Sequence, residues 1–224
     1  MTRPWTTLAS VLSSDGMLEL RKRGDSDYLI TVGGRVLMNS FARASEEQLA
    51  HVALSRATKR VLIGGLGMGF TLRAALDVLA RDASVLLAEL NPVVVEWCRG
   101  PLAKATSNAV DDPRVRVEIV DVAHLIQNAR TAQYDAIVLD LYEGPNTTSI
   151  GDRKRRAHPI WGTSTMGAAR NALEPGGVLA IWAEDRDDKF VAHLRQCGFD
   201  VETKTITAGS GGRKHVVYLG HTKR

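Results

Sequence analysis

The stretch Val61-Leu62-Ile63-Gly64-Gly65-Leu66-Gly67-Met68-Gly69-Phe70 decides how this chain folds. Apolar residues lead into a burst of glycine, and a helical pattern begins directly after it. A buried parallel strand that turns sharply into a helix beneath a bound nucleotide or nucleoside has this pattern. Glycine suits the turn because its backbone angles are ones a Cβ opposes, and because the ligand must approach bare main chain. The next apolar run, Val85-Leu86-Leu87-Ala88-Glu89, ends in an acid. An acid about twenty residues past the glycine turn is placed to accept hydrogen bonds from two ribose hydroxyls.

From Arg60 onward, strand and helix alternate. Strands are expected at residues 61–66, 85–89, 115–121, 136–140 and 178–182, with helical stripes between them. Asn91-Pro92 opens one helix, and Glu174-Pro175-Gly176-Gly177 is expected to stop another. Two further strands, 199–206 and 215–219, close the chain. The pattern predicts an α/β fold: a Rossmann-like, mainly parallel sheet with helices on both faces and a terminal antiparallel hairpin. Residues 1–44 predict a small N-terminal β region of about three strands, with Gly33-Gly34 closing a hairpin. Such a sheet is too small to stand alone. The Rossmann-like nucleoside-binding domain is assigned to residues 45–224, beginning with a helix at Ser45-Glu46-Glu47.

With 224 residues, 44% of them apolar and 24% charged, the chain suits one substantial domain plus an appendage. No apolar run approaches the roughly 20 residues of a membrane span, and the N-terminus lacks a secretory core. Cys98 and Cys197 read as free thiols, which together with these features leads to a cytoplasmic expectation. The six histidines show no metal spacing, so no metal is expected. A charge of +4 permits an anionic partner without requiring one. Without a basic stripe interleaved with aromatics, nucleic acid is disfavoured.

In a sheet of this kind the ligand sits beyond the carboxyl ends of the strands. The residues there are Gly65, Gly67 and Gly69, followed by Glu89, Asp121 and Asp140. Glu89 can hold a ribose, Asp121 can accept from an adenine amino group, and Asp140 would face whatever reacts beside the nucleoside. The alternative is that these acids merely cap the helices that follow them.

At these residues the chain resembles the spermidine synthase family, within the class I S-adenosylmethionine-dependent methyltransferase fold. The resemblance runs from about Met17 to the end. Ile63 to Gly69 stand at its glycine motif, Glu89 at its ribose acid, and Asp121 with Val122 at its adenine site. Tyr134-Asp135-Ala136-Ile137-Val138-Leu139-Asp140-Leu141-Tyr142-Glu143 looks like its catalytic segment. The resemblance implies Asp140 as the catalytic carboxylate and Glu143 as a second acid holding the amine acceptor. It also implies a homodimer built partly on the N-terminal strands.

Two departures stand out. The family's glycine motif carries an acid where this chain reads Leu66-Gly67-Met68-Gly69. Its tyrosine–histidine–glutamate segment becomes Ser45-Glu46-Glu47, which leaves Glu47 as the matching residue. The expected function is transfer of an alkyl (aminopropyl) group from a decarboxylated S-adenosylmethionine-type donor to a small amine. Methyl transfer from S-adenosylmethionine itself is the close rival, and a non-catalytic nucleoside-binding or dimerisation module is the second. The basic run Arg153-Lys154-Arg155-Arg156 reads as a solvated turn or as a contact for an anionic acceptor. His158 and Trp161 lie near it.

Overall fold

The computed structural model describes residues 3–13, 16–141, 159–207 and 213–223. In chain order the described elements are β1 (Thr6–Ser13), β2 (Gly16–Arg23), β3 (Asp27–Val32), β4 (Arg35–Asn39), α1 (Ala44–Ala53), β5 (Arg60–Gly64), α2 (Phe70–Val78), β6 (Ser84–Glu89) and α3 (Pro92–Arg99). They continue with β7 (Val115–Ile119), α4 (Val122–Gln127), β8 (Tyr134–Leu139), α5 (Thr163–Ala172), β9 (Leu173–Ala183), α6 (Asp188–Gln196), β10 (Asp200–Thr207) and β11 (Lys214–His221). Strands β1 to β4 form one antiparallel sheet, and the other seven form a second in the order β10-β11-β9-β8-β5-β6-β7. Strands β5 to β9 run parallel, while β11 and β10 close the sheet antiparallel.

Strict alternation along the parallel strands divides their side chains between two cores. Val61, Ile63, Val85, Leu87, Ala136, Val138 and Ala180 pack with residues of α1, α2 and α3. Leu62, Ala88, Ile137, Leu139, Leu179 and Ile181 pack with residues of α4, α5 and α6. Both faces are therefore covered, which explains why these strands read as continuous apolar runs. From β5 the chain steps outward to β6 and β7, then returns to lay β8 on the other side of β5. That reversal opens a crevice at the carboxyl ends of β5 and β8.

The N-terminal sheet has four strands where the sequence predicts about three. The additional strand, β1, is exposed along most of its length on both faces, so it carries no apolar alternation to read. The sheet is nonetheless tied into the first core through Leu18, Leu20, Tyr28, Ile30 and Val32. A second correction concerns Glu174 to Gly177. The helix α5 ends at Ala172, and β9 starts at once, because Leu173 pairs with Tyr134 before a bulge carries the register to Ala136–Val178. The Pro-Gly-Gly run is a bulge within a strand, not a loop ahead of one.

At the opposite end from the crevice, Asp135 stitches the strand starts together. Its carboxylate accepts from the main-chain N–H of Lys59 (2.8 Å) and Arg60 (2.9 Å), and pairs with the Arg60 guanidinium at 2.8 Å. Burial pushes its pKa up, but the Arg60 side chain and these N–H groups outweigh that and leave it depressed. A depressed acid stabilises the fold above its unfolded pKa, and that contribution is lost as pH falls through the folded value. Asp135→Ala leaves two main-chain donors without their acceptor, so a loss of about 2–3 kcal/mol is expected. In thermal melts this is a drop of roughly 4–12 °C at neutral pH. The gap should narrow as both proteins are acidified.

Candidate active site

The glycine turn leaves β5 into the crevice. Gly65 has φ +89°, and a Cβ built there would lie 2.2 Å from the main-chain oxygen of Asp140. Its N–H donates to the Ala88 oxygen at 2.9 Å, and Asp140 N–H donates to the Gly64 oxygen at 2.9 Å. The tips of β6, β5 and β8 are thus pinned through bare backbone. At Gly67 a Cβ would meet the Met38 sulfur at 2.9 Å, and that sulfur accepts from Met68 N–H at 3.0 Å. Met38 belongs to β4, so the N-terminal sheet reaches the turn itself. The Cys98 thiol donates to the Gly67 oxygen at 3.4 Å, and burial pushes its pKa up to about 12. It braces the turn as a free thiol. Gly69 is the N-cap of α2.

Glu89, at the tip of β6, is 8% exposed. One carboxylate oxygen accepts from Leu66 N–H at 2.9 Å and the other from Asn91 N–H at 2.8 Å. Burial raises its pKa, and these main-chain donors pull against that rise. Asp121 stands past β7 as the N-cap of α4, its side chain accepting from Ala123 N–H at 2.8 Å. For this acid the capping alternative describes the contact that is seen. Val122 is buried and lies against Gly64, where an added Cβ would meet it at 2.8 Å.

Asp140 follows β8. The residue is half-buried, yet its carboxylate is withdrawn from water, and desolvation raises its pKa against a hydrogen bond from Thr71. The Thr71 hydroxyl lies 2.5 Å from that carboxylate and 3.2 Å from the main-chain oxygen of Glu46. One hydroxyl proton serves two acceptors poorly. Thr71 therefore stands as a shared donor between the Asp140 carboxylate and the Glu46 main chain.

Glu46 itself was not singled out by the sequence. It is 9% exposed, its carboxylate accepts from the Ser45 hydroxyl at 2.6 Å, and burial followed by the charge of Asp140 raises its pKa to about 7. Glu47, which the family motif would favour, instead pairs with Arg43 at 3.0 Å and is 41% exposed. Consecutive helical residues point about 100° apart, so only one of the two can face the crevice. The structure therefore brings Gly65, Glu89 and Asp140 around one turn and adds Glu46 and Thr71. Asp121 stands at the tip of the outermost parallel strand. Glu143, the basic run 153–156 and His158 lie outside the described residues. Trp161 is buried in the second core, edge-on to Phe190 at 5.8 Å.

No protein-family model matches the chain. It is 29% identical over 164 residues to a polyamine aminopropyltransferase of Mycobacterium tuberculosis, a match spanning 72% of this chain and 30% of that protein. It is 28% identical over 180 residues to putrescine N-methyltransferase 4 of Nicotiana tabacum, across 80% of this chain and 39% of that protein. The chain thus spans well under half the length of these curated relatives. Among solved structures, spermidine synthase from Thermotoga maritima superposes with a TM-score of 0.76 at 22% identity, covering 96% of this chain and 72% of that one. A spermidine synthase in complex with the transition-state analogue AdoDATO gives 0.74 at 20% identity, with the same coverage. The fold is the one seen in these spermidine synthase structures, with the mainly parallel sheet and terminal antiparallel hairpin expected from the sequence.

Proposed function

We propose that this chain transfers an alkyl group, most simply aminopropyl, from a decarboxylated S-adenosylmethionine-type donor to a small amine. The observation that carries the reading is Asp140 at the tip of β8: its main-chain oxygen closes on the bare turn at Gly65, and its desolvated carboxylate accepts from the Thr71 hydroxyl. An alkylamine is protonated in water and has no lone pair to offer until a base removes a proton. A carboxylate raised above its ordinary range is a better match for that task. In the step itself the amine nitrogen forms a bond to the donor carbon and the carbon–sulfur bond breaks. The electron pair leaves with the thioether, and the amine proton passes to Asp140. Because the sulfonium is already an activated leaving group, the remaining task is alignment.

In this reading Glu89 holds the ribose hydroxyls, while Asp121 and Val122 frame the adenine. Gly65, Gly67 and Gly69 keep side chains out of the space beside the sulfur. At Gly65 and Gly67 the space a Cβ would take is filled by the Asp140 oxygen and by Met38, so bare glycine lets these groups close on the turn. Glu143 is proposed as a further acid for the acceptor. Relatives named as polyamine aminopropyltransferase and as putrescine N-methyltransferase support an amine acceptor. The same resemblance supports a cytoplasmic homodimer, for which the N-terminal sheet offers exposed Leu8, Val11 and Leu12.

Methyl transfer from S-adenosylmethionine is the second reading, favoured by one feature: the acid of the family motif is missing from Leu66-Gly67-Met68-Gly69, where Met38 covers Gly67. Without that acid the donor's carboxylate would meet no repulsion there. Calorimetric titration with the two donors separates the readings. Tighter binding of the decarboxylated form, by about tenfold (1.4 kcal/mol) or more, is expected. Equal or tighter binding of intact S-adenosylmethionine would overturn the aminopropyl assignment in favour of methyl transfer.

A further inference from the structure

The crevice contains a carboxylate that the proposed reaction has not used. Glu46 is nine-tenths buried, and among the described residues its side chain meets the Ser45 hydroxyl and no cation. Buried acids are normally paired, because desolvating a lone charge is costly. The charged groups that bear on it, Asp140 from the end of β8 and Glu47 on its own helix, are both negative. Thr71 ties the main chain of Glu46 to the Asp140 carboxylate, so the two acids share one small region beside the glycine turn.

A second observation marks the same region as a seat for a polar ligand. Trp182 follows Ile181, the β9 partner of Leu139, and so stands beside Asp140 on the neighbouring strand. It packs on the core face that carries Leu49 and Ala50 of α1. His215, 8% exposed, comes from the next strand over and lies against it, with ring centroids 4.9 Å apart. His215 Nδ1 is buried without a hydrogen-bond partner among the described residues, and on a neutral ring it can accept from an N–H donor. Orphaned buried polar atoms are rare in folded proteins. Burial and then the charge of Arg213 lower the His215 pKa, against the pull of Glu184 and Asp185.

We propose that Glu46 is an acceptor-binding residue, and that its carboxylate and that of Asp140 together hold the ammonium group of the amine acceptor beside the Trp182–His215 wall. The proposal rests on the transferase reading above and assigns its cation-holding role to a residue of α1. An incoming ammonium replaces the missing counter-charge, which gives the site its preference for amines over neutral or acidic acceptors. Asp140 then takes the proton that makes the nitrogen reactive, while Glu46 keeps the cation in place until it does.

Thermal melts and steady-state rates of wild type, Glu46→Gln and Glu47→Gln test this, with 1,4-diaminobutane as the acceptor probe and 5′-methylthioadenosine filling the donor side. Glu46→Gln should melt a few degrees higher than wild type without ligand, because a buried unpaired charge has been removed. It should also lose the upward shift that the diamine gives wild type, and keep the shift given by the nucleoside. In turnover its KM for the amine should rise tenfold or more, with kcat changed far less. A diamine shift in Glu46→Gln equal to that of wild type overturns the proposal and leaves the transferase reading standing. Loss of that shift in Glu47→Gln alone, or its absence in wild type, overturns it too. A protein that neither nucleoside nor S-adenosyl donor stabilises would instead sink the transferase reading itself.

Discussion

Asp140→Asn is expected to cut kcat by about 10²- to 10⁴-fold, the range that a positioned general base supplies, while donor affinity stays within about twofold of wild type. The amide keeps the shape and can still accept the Thr71 hydroxyl, which lies 2.5 Å from the carboxylate it replaces. The fold should not suffer, and removal of a desolvated charge should leave the melting temperature equal or higher. Only the ability to take the amine proton is lost. The pH profile provides the sharper readout. In wild type, burial raises the Asp140 pKa, and the neighbouring Glu46 is raised to about 7. Activity should therefore climb as these acids lose their proton and become able to accept another. In the variant that limb disappears, and the residual rate rises with pH toward the amine's own pKa, near 10 for an alkylamine. Unchanged turnover would mean that any activity lies elsewhere. A protein that binds donor without transfer in either form would be the non-catalytic module.

The parts of this site that the sequence discloses are those whose physics is local. Val61-Leu62-Ile63 had to be continuously apolar because β5 is covered on both faces, and the glycines after it had to be bare because Asp140 closes on Gly65. Glu89 is legible for a similar reason, as the tip of a buried strand next to that turn. The strand β1 was not, since exposure along its length leaves composition unconstrained. Nor was the start of β9, where Pro-Gly-Gly reads as a stop signal but long-range pairing of Leu173 with Tyr134 turns it into a bulge. Glu46 is the instructive case. The family motif directs attention to Glu47, yet Glu46 precedes Leu49 and Ala50 by three and four residues, and both of these are buried. Helical spacing alone puts it on the inward face. An acid on the buried face of a helix, with apolar Leu49 and Ala50 one turn after it, was the available signal; Arg43, one turn before it, pairs with Glu47 instead. What the sequence could not supply is the identity of its neighbour, because Asp140 arrives from the far side of the topological reversal between β5 and β8.

Gly65→Ala should be the most damaging single methyl group that can be added here. A Cβ at that position falls 2.2 Å from the Asp140 oxygen and 3.1 Å from its carbonyl carbon, both main-chain atoms that no rotamer change can move aside. Neither side can easily yield: Gly65 N–H is held by Ala88 and Asp140 N–H by Gly64, each at 2.9 Å. The backbone angle adds its own strain, because φ is +89° and a non-glycine residue there costs about 1–3 kcal/mol. Together with the clash, a total loss of about 3–5 kcal/mol is expected, seen as a drop of roughly 6–20 °C in melting temperature. Donor affinity should fall at least a hundredfold, since the turn can relieve the clash only by moving into the space proposed for the nucleoside or by pushing Asp140 out of line. Gly167→Ala is the matched control. It lies in α5 with nothing within 4 Å of its added Cβ and no positive φ, so alanine there should stabilise by about 0.5–1 kcal/mol. If Gly65→Ala melted like wild type and bound donor as well, the strand tips would not be pinned as the geometry requires. The carboxylates at those tips would then have no common ligand to share.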